Sequence, residues 1–207
     1  MTKYEYATVP LLSHATKQIL DTWGSDGWEL VQVIPAPGTG EQLVAYMKKS
    51  YCMNKVDVRA KLKELGLELP VAAKPVAAYV PAIRTGNIVF TAGQLPLVNG
   101  EMAGVGKVDG EITPERAKEL AQVCALNALA AVETVADVNK ITKIVRVVGY
   151  VNGVPGYINA PVVVNGASEL FLAIWGDGAK HARSAVGIAE LPLNSPIEIE
   201  LTVEITD

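Results

Sequence analysis

Two cysteines, two histidines and two phenylalanines are all that this chain of 207 residues contains, and aromatic residues make up only 6% of it. Each scarcity removes a class of explanation. Cys52 and Cys124 lie far apart, with no CxxC spacing and no adjacent histidine, so neither a disulfide framework nor a zinc site is indicated and no metal is expected. His14 and His181 are too few for a histidine cluster, and with His14 in what reads as a separate first segment a Ser/His/Asp relay is short of parts. A core poor in aromatics must be built from Val, Ile, Leu and Ala, as is usual where helices pack on a sheet.

Charge of one sign is scarce too. Net charge is −4, with 4 basic and 5 acidic side chains in residues 1–53 and 14 and 17 in residues 54–207. Nucleic-acid binders concentrate basic residues to neutralise phosphates, and the single pair Lys48 and Lys49 falls far short of that, so no nucleic-acid partner is expected. Apolar stretches are interrupted well before they could span a bilayer, and no charged-then-apolar leader opens the chain. The expectation is a cytoplasmic protein in a reducing compartment with no membrane partner. Half the residues are apolar, enough for the core of one or two domains.

Residues 4–9 (YEYATV) alternate like a strand, Ser13 is placed to cap a helix running to Trp23, and Gly24 to Gly27 closes it. WELVQVI reads as a second strand, the turn from Pro35 to Gly40 separates it from LVAYMKK, and the result is a small β-α-β-β domain over 1–50. Gly27 to Val31 (GWELV) resembles the signature of a small bacterial domain family with no assigned chemistry. A break near Ser50 to Asn54 sets the second domain at 54–207. Asp57 to Leu65, with Val58, Leu62 and Leu65 apolar and Gly66 beyond, has the spacing of a short amphipathic helix.

Asn87 to Ala92 is rich in strand formers, and Gly100 to Gly110 reads as a hairpin or long loop. Thr113 as N-cap, Pro114 at the first helical position and Glu115 at the positive end predict a helix to about Val135. Ile144 to Val151 reads as a buried strand, Ser168 to Trp175 as part of a second helix ended by Gly176, and Arg183 to Ala189 as another strand. In PIEIELTVEI, Ile197, Ile199, Leu201, Val203 and Ile205 alternate with polar residues, which predicts a strand with one core face. The fold class expected is α+β, a mixed sheet with two helices packed on one face.

The run from His181 to Glu200 (HARSAVGIAELPLNSPIEIE), together with FTAGQLPL from Phe90 to Leu97, Asn127 in mid-helix and Asn165 to Leu172, resembles the RidA/YjgF family. The resemblance covers roughly Tyr79 to Asp207. It implies a chorismate mutase-like fold, a homotrimer with ligands in clefts between subunits, and a small carboxylate-bearing metabolite as partner, with no cofactor. It further implies that Arg183 grips the carboxylate, as a planar two-donor guanidinium can. Glu198 matches the position of the carboxylate that holds the attacking water, and Tyr79, Gly93 and Asn165 match residues lining the cleft. The implied activity is that of an imine deaminase, hydrolysing reactive 2-imino acids to 2-keto acids and ammonia; a non-catalytic carboxylate-binding or sensing module and an endoribonuclease are the alternatives.

Read without the resemblance, Arg183 is a strand-edge arginine of the kind that makes surface ion pairs, and Glu198 is one of several glutamates on a solvated strand face. Tyr79 is as easily a half-buried packing residue, Asn127 a satisfier of nearby backbone groups and Cys124 a core side chain. The pattern also departs from the family at Ala92, Ala185 and Gly187, where polar side chains are usual.

Overall fold

Alternating side chains at the start of the chain form the first strand of a small sheet, as the pattern predicts. The computed structural model describes residues 4–36, 42–50, 56–73 and 78–206, and the chain divides into two compact units, Met1–Cys52 and Met53–Asp207. In the first, β1 (Tyr4–Leu11), β2 (Glu29–Pro35) and β3 (Leu43–Ser50) make an antiparallel sheet in the order β1-β3-β2, with helix α1 (Thr16–Ser25) between β1 and β2. Val9, Leu11, Ala45 and Met47 are buried against Ile19, Leu20, Trp23 and Trp28, the two indoles meeting edge to face at 5.1 Å. Ser13 does not cap the helix. The cap position is Ala15, with no side-chain bond, and Thr16 Oγ1 donates to the Leu12 carbonyl at 3.0 Å instead. Most of the Pro35 to Gly40 turn, Cys52 and the domain break fall outside the described residues.

The second unit opens with α2 (Val58–Glu64), whose Asp57 cap accepts from the Ala60 amide and whose Val58 and Leu62 are buried. There follow β4 (Ala82–Thr85), β5 (Ile88–Thr91), a two-residue hairpin of β6 (Leu97–Val98) and β7 (Glu101–Met102), α3 (Pro114–Glu133), β8 (Ile141–Asn152), α4 (Ala160–Trp175), β9 (Ala182–Ile188) and β10 (Ile197–Ile205). The five long strands form a mixed sheet in the order β4-β5-β10-β8-β9. Only β8 and β9 run parallel, and α4 is the crossover that a parallel pair requires.

The alternation of β10 decides which side is core. Ile197, Ile199, Leu201, Val203 and Ile205 are buried with Val147, Val151, Leu120, Cys124, Val164 and Phe171 beneath α3 and α4, while Glu198, Glu200, Thr202 and Glu204 are only partly covered. Thr113 caps α3 by accepting from the Arg116 amide. The two helices cross closely because residue 166 is glycine: a Cβ there would lie 1.9 Å from the Lys118 carbonyl oxygen. On the other side of the sheet no helix packs among the described residues, and Ile83, Phe90 and Val186 are exposed at 60%, 45% and 43%. No helix among the described residues is long and apolar enough to cross a membrane.

Candidate functional site

Arg183 stands on β9, an edge strand, opposite Val147 of β8. Val147 is wholly buried on the helix side, so strand geometry sends the Arg183 side chain to that side as well. It meets α4 there, Nη1 donating to Asn165 Oδ1 at 2.7 Å and to Ser168 Oγ at 3.2 Å. Asn165 and Ser168 are neighbours on one helix face by their spacing of three. Among the described residues no carboxylate pairs with Arg183, and its Nη2 and Nε and the Asn165 amide nitrogen make no hydrogen bond, which leaves a row of unused donors at the strand edge.

His181 adds a group that motif reasoning did not assign. Its Nδ1 lies 2.7 Å from the Ala179 carbonyl oxygen and its Nε2 3.0 Å from Ser168 Oγ. Burial pulls its pKa below the usual imidazole value, helped by the Arg183 charge and opposed by the bond to Ala179.

Glu198 occupies β10 opposite Tyr150, on the face away from the helices. The chain after β5 runs alongside it, with Gln94 and Ile199 exchanging backbone hydrogen bonds of 2.8 and 3.0 Å. That brings Gly93 against the carboxylate so closely that a Cβ would lie 1.6 Å from Glu198 Oε1; with the carboxylate in this position only glycine leaves room. Asn127 holds this arm in place by donating to the Leu95 and Leu97 carbonyls at 2.9 and 3.0 Å. Burial raises the Glu198 pKa, and the neighbouring Glu200 raises it further. Tyr150 donates its hydroxyl to Glu200 at 3.3 Å. Cys124 is fully buried, its thiol pushed well above its ordinary pKa by burial and lying 3.7 Å from the Ile197 carbonyl, so it belongs to the core.

The structure thus assembles two pairs, Arg183 with Asn165 and Glu198 with Gly93, and places them on opposite sides of the sheet. Tyr79 is 51% exposed ahead of β4 and shares no hydrogen bond with either pair among the described residues. Ala185 faces Gly149 in register on the Arg183 side, offering no polar atom there. A cavity of about 630 Å³ on the helix side is lined by Leu65, Leu67, Lys118, Glu169 and Leu170 among others, and by none of the five candidates.

This layering, with one central antiparallel strand, two helices on one face and a parallel edge strand returned by the second helix, defines an α+β domain of the chorismate mutase-like kind. The family model described as "YjgF/chorismate_mutase-like, putative endoribonuclease" matches residues 59–205, and the chain belongs to that family. Protein TCP17 of Trypanosoma cruzi is 32% identical over 152 residues, covering 72% of this chain and 95% of that protein. The crystal structure of Atu1372 from Agrobacterium tumefaciens, of unknown function, is 40% identical with a TM-score of 0.67, over 72% of this chain and 92% of that one.

Proposed function

We propose that the Met53–Asp207 unit is a hydrolase of reactive 2-imino acids, working as a homotrimer whose sites lie between subunits. The observation that carries the reading is the Arg183 edge: a guanidinium fixed by Asn165 and Ser168 at one nitrogen, free of ion pairs, with its remaining donors unused. A carboxylate supplies two acceptors with matching geometry. Arg183, with Asn165 beside it, anchors the substrate carboxylate, and a neighbouring subunit presents its Glu198 and Gly93 to the other side of the imine, with Tyr79 at the rim. Separation of the two pairs by the sheet is what makes a second copy necessary.

The reaction asks little of the protein. Water adds to C2 of the protonated imine as the Glu198 carboxylate takes one of its protons; Glu198 then gives that proton to the nitrogen of the aminoalcohol and takes the hydroxyl proton as the C–N bond breaks, releasing ammonia and the 2-keto acid. Positioning of substrate and water is the main source of acceleration. Gly93 contributes close backbone approach, and the raised pKa of Glu198 makes it a stronger base than an ordinary glutamate.

The test is to generate 2-imino acids with an amino-acid oxidase, in the presence of a nucleophilic trap, and to follow imine decay. Faster decay with the protein is expected, and loss of the charge-assisted bonds in Arg183→Ala should weaken substrate binding by about 1.5–3 kcal/mol, roughly 10- to 150-fold. Decay no faster than with Arg183→Ala overturns the proposal. Ala92, Ala185 and Gly187 favour a second reading, a carboxylate-binding module without turnover; titration with a 2-keto acid that shows binding while imine decay is unaffected would select it. The endoribonuclease reading finds less support in a net charge of −4.

A further inference from the structure

The hydrogen bonds around Arg183 have one consistent direction. A carbonyl oxygen only accepts, so His181 Nδ1, 2.7 Å from the Ala179 oxygen, carries the ring proton. Nε2 of the neutral ring is then bare and receives the Ser168 hydroxyl proton across 3.0 Å. Arg183 only donates, so Ser168 Oγ accepts from Nη1 at 3.2 Å. With the ring neutral, the proton of Ser168 is held by His181 and unavailable to anything bound at the guanidinium. With the ring protonated, Nε2 becomes a donor, Ser168 Oγ accepts from both cations, and its proton is released to a bound anion or to a carbonyl of the preceding helical turn.

We infer that Ser168 and His181 belong to the anion site, Ser168 as a further carboxylate ligand and His181 as the positioning residue that decides whether the Ser168 proton is offered to it. The inference rests on the reading of Arg183 as the carboxylate anchor. It fits the surroundings of the ring. From α4 it meets Ser168 and the edge-on Phe171 ring at 6.0 Å; two residues on, in β9, lies Arg183; in the preceding turn Lys180 pairs with Asp177 at 2.9 Å. Arg146 of β8, opposite Ala182, carries its guanidinium to Ser184 Oγ instead. None of these supplies His181 with a carboxylate partner, so a bound anion is the charge that compensates the protonated ring. By linkage, an anion that binds more tightly to the protonated form raises the pKa of His181 by the same free energy.

The experiment uses the full chain with pyruvate as probe. Nitrogen-15 NMR of the imidazoles reports tautomer and titration, with His181 assigned by its absence in His181→Gln. We expect His181 as the Nδ1–H tautomer, with a titration moved upward by pyruvate. Calorimetry should show pyruvate binding about tenfold tighter near pH 5.5 than near pH 8, on either side of the imidazole range. His181→Gln, whose amide oxygen can accept from Ser168, should lose the tightening between the higher and the lower pH. Ser168→Ala should lose most of it while keeping the charge. Equal pH dependence in the parent and His181→Gln overturns the inference alone, and full tightening in Ser168→Ala removes Ser168 from the site. Pyruvate binding that is absent, or unaffected by Arg183→Ala, overturns the anchor reading and this inference with it.

Discussion

Glu198 is the residue at which fold stability and the proposed chemistry pull in opposite directions. Its pKa is raised, first by burial and then by Glu200, so the folded state holds the proton more tightly than the unfolded chain does. Stability from this group is therefore greatest below the unfolded pKa and declines as pH rises through the folded one. Removing the charge relieves that cost: Glu198→Gln should melt at a higher temperature than the parent at neutral pH, read by calorimetry, while imine hydrolysis collapses. The acid limb of the parent's rate profile should lie above the ordinary glutamate value, because the base works only when ionised. Gly93→Ala tests the same carboxylate from the backbone side. The atom 1.6 Å from the new Cβ is the end of a side chain, which can swing away, so kcat should fall nearly as far as in Glu198→Gln with little change in melting temperature. Arg183, Glu198 and Gly93 were singled out in the sequence as candidates by ordered motifs. Ser168 and His181 were not, because what marks them is the direction of a hydrogen-bond chain joining a helix to a strand edge, and no local spacing encodes that.

At the scale of elements, legibility follows how local the cause is. The start of α3 was written in Thr113 and Pro114, and the core face of β10 in strict alternation, since capping and pleating act within a few residues. Helix α4 begins at Ala160, well before Ser168, because Val162 to Val164 is a β-branched run whose modest helix propensity is outweighed by the complete burial of Val163 and Val164. Strand β4 escaped notice: it has four residues, three of them exposed, so its only signature is the pairing with β5. Asn127 is where an element acts on the site. Its amide is the sole side chain among the described residues bonded to the Leu95 and Leu97 carbonyls, and that segment continues directly from Gly93. Asn127→Ala should cost about 1–3 kcal/mol in denaturant unfolding, by removing the side-chain donor from both carbonyls while that of Leu95 keeps the Leu97 amide, and should also reduce kcat by loosening the arm. Stability loss with unchanged turnover would show that the arm is held by its pairing with Ile199 alone.

For the whole molecule the telling fact is that a flat, partly apolar sheet face and a divided set of candidate residues occur together. Ile83, Phe90 and Thr202 lie in one register row across that face, and Glu198 lies further along it, whereas Arg183 looks out from the other side of the edge strand. A trimer in which each sheet is covered by its neighbours buries the first and unites the second. Phe90→Asp should therefore reduce the mass seen by light scattering from three chains to one and abolish turnover together. Complementation is more demanding. At substrate well below saturation Arg183→Ala and Glu198→Gln should each be strongly impaired alone, yet refolded together in equal amounts they should recover about one quarter of parental activity, since a quarter of the cyclic interfaces join an intact Arg183 to a neighbour's intact Glu198. A site drawn from a single chain gives no recovery at any mixing ratio, because every chain then carries one lesion. The Met1–Cys52 unit is retained in all these variants; it lies outside the matched span 59–205, and the quarter-recovery argument depends only on how copies of the second unit meet.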